Sequence, residues 1–251
     1  MAYTRKLIFS SPLLAWHQLT LDAAHPEWSA EFRVAVSSIL LPQSHCFDCQ
    51  LGHQRFVCDP TTALWLTSDQ PYRLRRHWAA QRSALITLQS DFGSVGRAAM
   101  PLSAHAALLL WQRRLQAGTF ESLQVEEALL TLLRPHRPSE TDRSTAIHPA
   151  VERAREHLAS DPQRADTLSD IAVAAHCSPF HLARAFRKHT GHSLHSYRTH
   201  LRMGMALERM HEGEGNLSHI AVDLGYASHS HFGNVFRRHF GLTPRQLRLI
   251  R

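Results

Sequence analysis

The sequence predicts an α+β chain of two parts, with an antiparallel β-barrel or sandwich in front and an all-helical region behind. Between residues 33 and 90, short runs of branched and aromatic residues alternate with turn signals, as in VAVSSILLP and SALITL. This pattern is typical of a small antiparallel barrel or sandwich. From Ser103 onward the apolar residues recur every three or four positions, which is the period of helices. Near the carboxyl end, one segment recurs after about fifty residues, which indicates an internal duplication.

The composition indicates a globular protein with an anionic partner. The chain has 251 residues, of which 43% are hydrophobic and 20% charged, and its formal net charge is +7. Residues 148–251 hold 14 Lys and Arg against 9 Asp and Glu, a net +5, whereas the longer front part holds 14 against 12, a net +2. A basic surface attracts phosphate-bearing partners, so nucleic acid and an anionic membrane surface are both candidates for the tail.

The sequence predicts a cytoplasmic protein without a membrane span. The longest apolar run, Ala106 to Trp111, is far shorter than the roughly 20 residues of a spanning helix. The opening segment MAYTRKLIFSSPLLAW is interrupted by Ser10, Ser11 and Pro12 and lacks a small-residue cleavage site, which argues against a signal peptide. Cysteines in such a compartment are expected to be reduced, which leaves metal binding, redox chemistry or simple packing.

Changes of pattern give the expected boundaries. Residues 1–100 are predicted to form a β-rich domain, and residues 101–134 a helical hairpin suited to dimerisation. Residues 135–147 lie in a stretch rich in proline and hydroxyl side chains, which predicts a linker. Residues 148–251 are predicted to be helical, with helix starts at Thr167 and Asn216.

The duplicated segment predicts two helix-turn-helix units. Ile171-Ala172-Val173 recurs as Ile220-Ala221-Val222 at an offset of 49, and Leu182 and Phe186 recur as Phe232 and Phe236 at an offset of 50. The extra residue falls at the turn, where such a unit tolerates it. At the turn position that favours positive φ, the second unit has Gly225 and the first has His176, so we expect His176 to adopt that conformation at some cost.

This arrangement suits reading of duplex DNA. The second helix of each unit can lie in a major groove, with its first turns toward base edges and its basic residues toward phosphates. The segment 195–211 is expected to be a rigid helix that places the two reading helices about 34 Å apart on one face of the duplex. Candidate phosphate contacts are Ser178, Arg187 and Lys188 in the first unit and Ser228, Arg237 and Arg238 in the second.

Residues 148–251 resemble the DNA-binding domain of the AraC/XylS family of bacterial transcription regulators. The resemblance lies in Gly225-Tyr226 with Ser228, His231-Phe232, the run from Phe236 to Gly241, and Thr243-Pro244. It implies base-reading positions at Phe180, His181, Ala183 and Arg184, and at His229, Ser230, His231 and Asn234. Ala183 departs from the family pattern because it can touch a thymine methyl group but cannot make the paired hydrogen bonds of a glutamine.

The front half is similar to the cupin-like sensor domain that many members of this family carry. The similarity rests on Asp59-Pro60-Thr61-Thr62 and Pro71-Tyr72-Arg73, and it implies effector binding or dimerisation. Periodicity assigns Leu182, Phe186, Phe232 and Phe236 to the core. His189, His192 and His195 are interpreted as surface residues around a turn rather than as a metal site, because Gly191 breaks the helical spacing.

The segment HCFDCQLGHQRFVC, residues 45–58, concentrates three of the four cysteines. A hairpin turn at Leu51-Gly52 or Gly52-His53 would bring Cys46 opposite residues near Cys58. The resulting hypothesis is a zinc or other thiophilic metal site, or a redox sensor, built from Cys46, Cys49 and Cys58 with His45, His53 or His77. The alternative is that these cysteines are small buried hydrophobic residues, as is expected of Cys177.

These observations together predict a DNA-binding transcription regulator that responds to an effector and is not an enzyme. The expected partners are double-stranded promoter DNA, a small effector or metal ion, a second copy of the chain and RNA polymerase, with no membrane. Two alternatives stay open. One is a cupin-type enzyme with a DNA-binding tail, although the H-x-H spacing of its metal site is missing. The other is an Ada-like alkylation-response protein with a zinc-bound thiolate acceptor.

Overall fold

The computed structural model describes residues 3–21, 26–43, 45–76, 81–91, 93, 95–118, 120–138 and 148–249. The chain divides into two compact units, one of Met1–Thr145 with Arg248–Arg251 and one of Ala146–Leu247. Of the predicted linker, Pro135 and His136 complete a short 3-10 turn that begins at Arg134. Its remainder from residue 139 to residue 147 lies outside the described residues, as does His77.

The front unit contains the predicted antiparallel strands in two sheets. The six-stranded sheet has the order β1-β2-β9-β4-β7-β10, and the four-stranded sheet has the order β3-β8-β5-β6. Strands β1 and β2, at residues 3–21, lie in the predicted β-rich domain but precede the strand pattern of residues 33–90. The described strands form these two sheets rather than one closed ring. The bounds are β1 (Tyr3–Ser10), β2 (Leu14–Leu21), β3 (Phe32–Arg33), β4 (Ser37–Pro42), β5 (Phe47–Leu51), β6 (Gln54–Cys58), β7 (Thr62–Leu66), β8 (Pro71–Arg75), β9 (Gln81–Leu88) and β10 (Gly96–Ala99).

The central strands of the large sheet are buried on both faces. Every residue of β4 and β7 is buried, although successive side chains of a strand point to opposite faces. Helices α1 (Leu102–Ala117) and α2 (Ser122–Leu133) cover one face and share its apolar core with Trp16, Ile39, Trp65 and Ile86. The predicted helical hairpin is therefore part of the core of the front unit.

The second unit is entirely helical, as the sequence predicts. Its fully buried aromatic side chains Phe186, Tyr197, Phe232 and Phe236 lie at the centre of the unit's packing, and the rings of Phe186 and Tyr197 meet edge to face at 5.1 Å. None of the helices within the described ranges is long and apolar enough to cross a membrane. The bounds are α3 (Pro149–Ser160), α4 (Leu168–Ala174), α5 (Pro179–Thr190), α6 (Leu194–His211), α7 (Leu217–Asp223), α8 (His229–Phe240) and α9 (Pro244–Leu249).

Candidate nucleic-acid interface

The first helix-turn-helix unit is α4, a four-residue turn and α5. Helix α4 begins at a capping box, in which the Thr167 hydroxyl accepts from the Asp170 N–H and the Asp170 carboxylate accepts from the Thr167 N–H. It ends where His176 adopts a positive φ of 54°, as the sequence predicts. The His176 N–H donates to the Val173 carbonyl at 3.0 Å and the Cys177 N–H to the Ala172 carbonyl at 3.1 Å. These two bonds are the pattern of a Schellman turn.

The second unit, α7 and α8, repeats this construction. The Asn216 side chain caps α7 by accepting from the Ser218 and His219 N–H groups. Gly225 has a φ of 75° and donates to the Val222 carbonyl at 2.9 Å, and Tyr226 donates to the Ala221 carbonyl at 2.9 Å. One residue more than in the first unit separates this turn from α8. The duplication inferred from the sequence therefore includes the hydrogen bonds of the turn.

The second helices of both units begin and end in the same way. The Ser178 hydroxyl accepts from the His181 N–H, and the Ser228 hydroxyl accepts from the His231 N–H. Both helices stop at a glycine with positive φ, Gly191 in α5 and Gly241 in α8. Because the caps correspond, the residues of the two helices can be matched one by one from their N-caps.

The two helices also bury the same face. Leu182, Ala185 and Phe186 are the buried residues of α5, and Phe232, Val235 and Phe236 are those of α8. The predicted core assignment of the leucine and the three phenylalanines is confirmed. The buried residues fix the rotation of each helix, so corresponding exposed positions project in the same direction. All eight predicted base-reading residues are exposed, namely Phe180, His181, Ala183, Arg184, His229, Ser230, His231 and Asn234.

The predicted phosphate contacts lie at both ends of these helices. Arg187 and Lys188 are exposed in the last turn of α5, and Arg237 and Arg238 are exposed in the last turn of α8. Cationic groups there also interact favourably with the helix dipole. Ser178 and Ser228 occupy the N-caps, beside the backbone N–H groups of the first turn. Each helix therefore presents hydrogen-bond donors at its start and positive charge at its end.

Helix α6 joins the two units. Its buried side includes Tyr197, Leu201 and Leu207, as expected for the predicted connector. Arg202 fixes α6 to the loop before α4 by donating to the carbonyls of Pro162 at 2.7 Å and Gln163 at 3.1 Å. These packing and hydrogen-bond contacts hold the connector against the first unit.

The carboxyl end of α6 is fixed to the second unit by an ion-pair network. Arg209 binds Glu214 at 2.6 Å and Asp223 at 2.7 Å. Hydrogen bonds from Arg209 and His219 lower the pKa of Glu214 to about 2. The connector is therefore held at both of its ends.

Histidine pairs link the supporting helices to the ends of the reading helices. The ring centroids of His148 and His189 lie 5.1 Å apart in the first unit, and those of His200 and His239 lie 4.9 Å apart in the second. His192 adds a third ring 4.6 Å from His200. Burial, with the neighbouring His192 and His239 charges, lowers the pKa of His200 to about 4. His189 and His195 are exposed, as the sequence predicts, whereas His192 is half-buried. The ring contacts are not predictable from the sequence, because spacing along one helix carries no information about rings on another.

The cysteine segment forms the predicted hairpin but does not bring the predicted metal ligands together. Residues Gly52 and His53 make the turn, and Phe47 pairs with Cys58 while Cys49 pairs with Phe56. Cys49 and Cys58 thus share one face of the hairpin. Cys46 directly precedes Phe47 in the chain, so it does not lie on that face. The three cysteines are buried, and His53 is exposed at the turn.

The metal centre at Cys46, Cys49, Cys58, His45 and His53 stays a prediction that the described residues do not support. Within the residues that the structure describes, no group of three or more His, Cys, Asp or Glu side chains could hold a metal ion. Burial raises the pKa of the Cys49 thiol to about 12, and a reactive or ligating cysteine requires the thiolate. The alternative of buried, packed cysteines fits this geometry.

Comparison with known proteins points to the same region of the chain. A protein-family model described as a helix-turn-helix domain matches residues 171–249. The chain is 29% identical over 174 residues to the HTH-type transcriptional regulator GlxA of Rhizobium meliloti, covering 66% of this chain and 52% of that protein. It is 36% identical over 67 residues to the HTH-type transcriptional activator RhaS of Escherichia fergusonii, covering 27% and 24% of the two chains. The chain thus spans about half or less of the length of these relatives.

Similar solved structures include both whole proteins and isolated domains. ToxT from Vibrio cholerae O395 matches with a TM-score of 0.41 and 13% identity over 94% of this chain and 97% of that chain. The C-terminal domain of the response regulator AraT from Geobacillus stearothermophilus matches with a TM-score of 0.40 and 30% identity over 43% and 89%. An AraC-like transcription regulator of Streptomyces lividans is 34% identical over 96 residues, covering 38% of this chain and 32% of that protein. Residues 171–249 thus match a helix-turn-helix domain, and the C-terminal part of this chain is similar to AraC-like transcription regulators.

Proposed function

We propose that this protein is a transcription regulator that binds a specific duplex DNA sequence with α5 and α8. The observation that carries the proposal is the repeated reading helix, which twice exposes its base-reading positions from the same cap and the same buried face. A helix presented in this way fits a major groove, where each base pair shows its own pattern of donors and acceptors. The names of the relatives as regulators and activators support the same function.

The two reading helices are proposed to enter consecutive major-groove segments on one face of the duplex. Helix α6 supports this arrangement because it is held to the loop before α4 by Arg202 and to the second unit by Arg209. A rigid connection favours one spacing, and consecutive groove segments on one face lie about 34 Å apart. The basic last turns of α5 and α8 would then lie near phosphates and set the register on the duplex.

An effector is proposed to act through the front unit, where a buried amide group supports a neutral, hydrogen-bonding ligand. Gln18 donates to the Gln43 side-chain oxygen at 2.8 Å and to the Ser83 carbonyl at 3.1 Å. Among the described residues, Gln18 Oε1, Gln43 Nε2 and both amide atoms of Gln81 are buried without a hydrogen-bond partner. Leaving such a group unpaired costs about 1–3 kcal/mol, so a ligand that reaches these amides and pairs with them would recover that cost.

A homodimer is proposed to form through the hairpin of α1 and α2. Leu123 and Leu130 on α2 are exposed, at 60% and 36%. Beside them lies a groove of about 660 Å³ lined in part by Trp111 and Leu132. Exposed apolar area of this kind is typical of interaction surfaces. RNA polymerase stays a predicted partner, and the cytoplasm stays the predicted compartment.

The proposal is of a regulator rather than an enzyme. The relatives named above are regulators and activators. The Ada-like alternative requires an activated thiolate, and the raised pKa of the buried Cys49 opposes one. The cupin-type alternative requires converging metal ligands, which the described residues do not supply.

The proposed DNA binding can be tested with the full chain in competition binding against random duplexes at physiological salt. We expect one sequence to be preferred. Replacing Arg237 by alanine should weaken binding to every sequence and reduce the salt slope by about one. Arg114→Ala removes the same charge from an exposed position of α1 in the front unit and should leave the salt slope unchanged. Equal binding to all duplexes would refute the proposed function.

A further inference from the structure

We infer that the two reading helices recognise different bases, with guanine read by Arg184 and adenine read by Asn234. This inference rests on the proposed function and specifies it. The residues correspond because each lies six positions after its N-cap serine, Ser178 in α5 and Ser228 in α8. The two helices have the same caps and the same buried face, so Arg184 and Asn234 project in equivalent directions.

Both side chains are available for contact with bases. Arg184 and Asn234 are exposed, and neither forms a hydrogen bond or an ion pair with another residue in the part of the chain that the structure describes. Arginine pairs in a bidentate manner with guanine O6 and N7, and asparagine does so with adenine N6 and N7. The same position in the two units therefore selects different purines.

A second corresponding position strengthens the asymmetry. Phe180 is 80% exposed on the first turn of α5, and its counterpart in α8 is Ser230. An exposed phenyl ring at a groove finds favourable apolar contact with a thymine methyl group, whereas serine accepts several bases. We therefore place a thymine contact in the DNA subsite that α5 reads, the first subsite, and none in the subsite that α8 reads, the second subsite.

One corresponding pair of base-reading positions carries the same residue in both helices. His181 and His231 both occupy the third position of their helices, and both donate their backbone N–H to the capping serine. Their side chains are of the same type, although the His181 ring lies against His148 and the His231 ring against Tyr226, so this position adds no difference of residue type between the subsites. The recognised sequence is accordingly a direct arrangement of two unlike subsites, one containing guanine and thymine and the other containing adenine, rather than a repeat of one subsite.

The test is an exchange of the two specificity residues in the full chain. Duplexes are first selected from a random pool with the wild-type protein, and Arg184→Asn, Asn234→Arg and the double variant are then assayed on the selected site and its single-base changes. Arg184→Asn should shift the preference from guanine to adenine at one position, and Asn234→Arg should do the reverse at the other. Each good bidentate pair should contribute about 5- to 150-fold discrimination.

Arg187→Asn is the matched control, because it makes the same substitution one turn further along α5 at a predicted phosphate contact. It should weaken binding to all sequences without a change in base preference. The inference on Arg184 is overturned if Arg184→Asn keeps the circular dichroism of the wild type and, like this control, weakens binding to all sequences without a change in base preference. Failure of the wild-type chain to select any sequence refutes instead the proposed function, so the two failures are distinguishable.

Discussion

In the turn of the first helix-turn-helix unit, the backbone of His176 is strained, and a glycine at this position would relieve the strain. This residue has a φ of 54°, a conformation that costs a side-chain-bearing residue about 1–2 kcal/mol relative to right-handed backbone. Glycine adopts this conformation freely, but a glycine variant also raises the conformational entropy of the unfolded chain, which lowers the free energy of unfolding by about 0.4–1 kcal/mol. The difference predicts that His176→Gly stabilises the second unit by about 0.5–1 kcal/mol.

The side chain of His176 offers little to offset this gain. It is exposed, and its backbone N–H keeps its bond to the Val173 carbonyl in the glycine variant because that bond needs no side chain. For a unit of this size, the expected gain corresponds to a rise in the midpoint of thermal unfolding of roughly 2–8 °C.

Gly225→Ala is the converse variant, because Gly225 holds the corresponding turn with a φ of 75°. A Cβ atom there would lie 3.4 Å from Arg202 Nη2, so the Arg202 side chain would have to yield slightly. We expect this variant to lower the midpoint by a similar or larger amount, since alanine adds strain at a positive φ.

The assay can separate the two units because all five tryptophans precede residue 146. Tryptophan fluorescence reports the front unit, and far-UV circular dichroism reports mostly the helical second unit. The predicted rise should appear in circular dichroism alone. If His176→Gly lowers the midpoint, or if Gly225→Ala leaves it unchanged, the equivalence of the two turns is refuted.

Three further predictions concern the histidine contact, the cysteines and the connector. The pKa of His200, lowered from 6.5 to about 4, means that the folded state favours the neutral ring. The contribution of His200 to the free energy of unfolding is therefore fully present above about pH 6.5 and is lost as the pH falls toward 4. We expect a loss of about 2 kcal/mol for this partly screened group, measured by urea titrations at several pH values. Because Cys46, Cys49 and Cys58 are buried and Cys177 is partly exposed, a thiol reagent should label about one of the four cysteines before unfolding. Arg209→Ala, which leaves Glu214 and Asp223 without their shared partner, should lower the free energy of unfolding of the second unit by about 1 kcal/mol in urea.

Each of these has its own control. His200→Gln, which cannot titrate, should flatten the pH dependence, and an unchanged slope would contradict the assignment to His200. Rapid labelling of Cys49 in the folded chain would contradict its raised pKa. Arg245→Ala, at an exposed position of α9, should leave stability unchanged, and an equal loss there would show that Arg209 acts only through net charge.

The second unit could be predicted in detail because its determinants are local and repeated. Thr167, Asn216 and Ser228 are caps whose partners lie two or three residues away, and the positive φ of His176 follows from its alignment with Gly225. Because the two copies can be aligned with each other, the change of offset from 49 to 50 also predicts the extra residue at the second turn.

Contacts between distant segments were less predictable. The sequence predicts a hairpin turn at Leu51-Gly52 or Gly52-His53, but whether Cys46, Cys49 and Cys58 converge depends on strand faces and on neighbouring sheets. Likewise, the contact of His200 with His239 joins residues on different helices, and no spacing within one helix encodes it. Strands β1 and β2 lie within the predicted β-rich domain of residues 1–100, but their sequences do not show the pattern of short strands and turns that residues 33–90 show.

Footprinting of the full chain on its selected duplex tests the central claim most directly. Two groove-reading helices held by α6 predict two protected major-groove segments, centred about one helical turn apart on the same face of the DNA. Arg184→Ala should remove protection of the first segment, and Asn234→Ala that of the second. A single protected segment, or two segments on opposite faces, would contradict the proposed mode of binding.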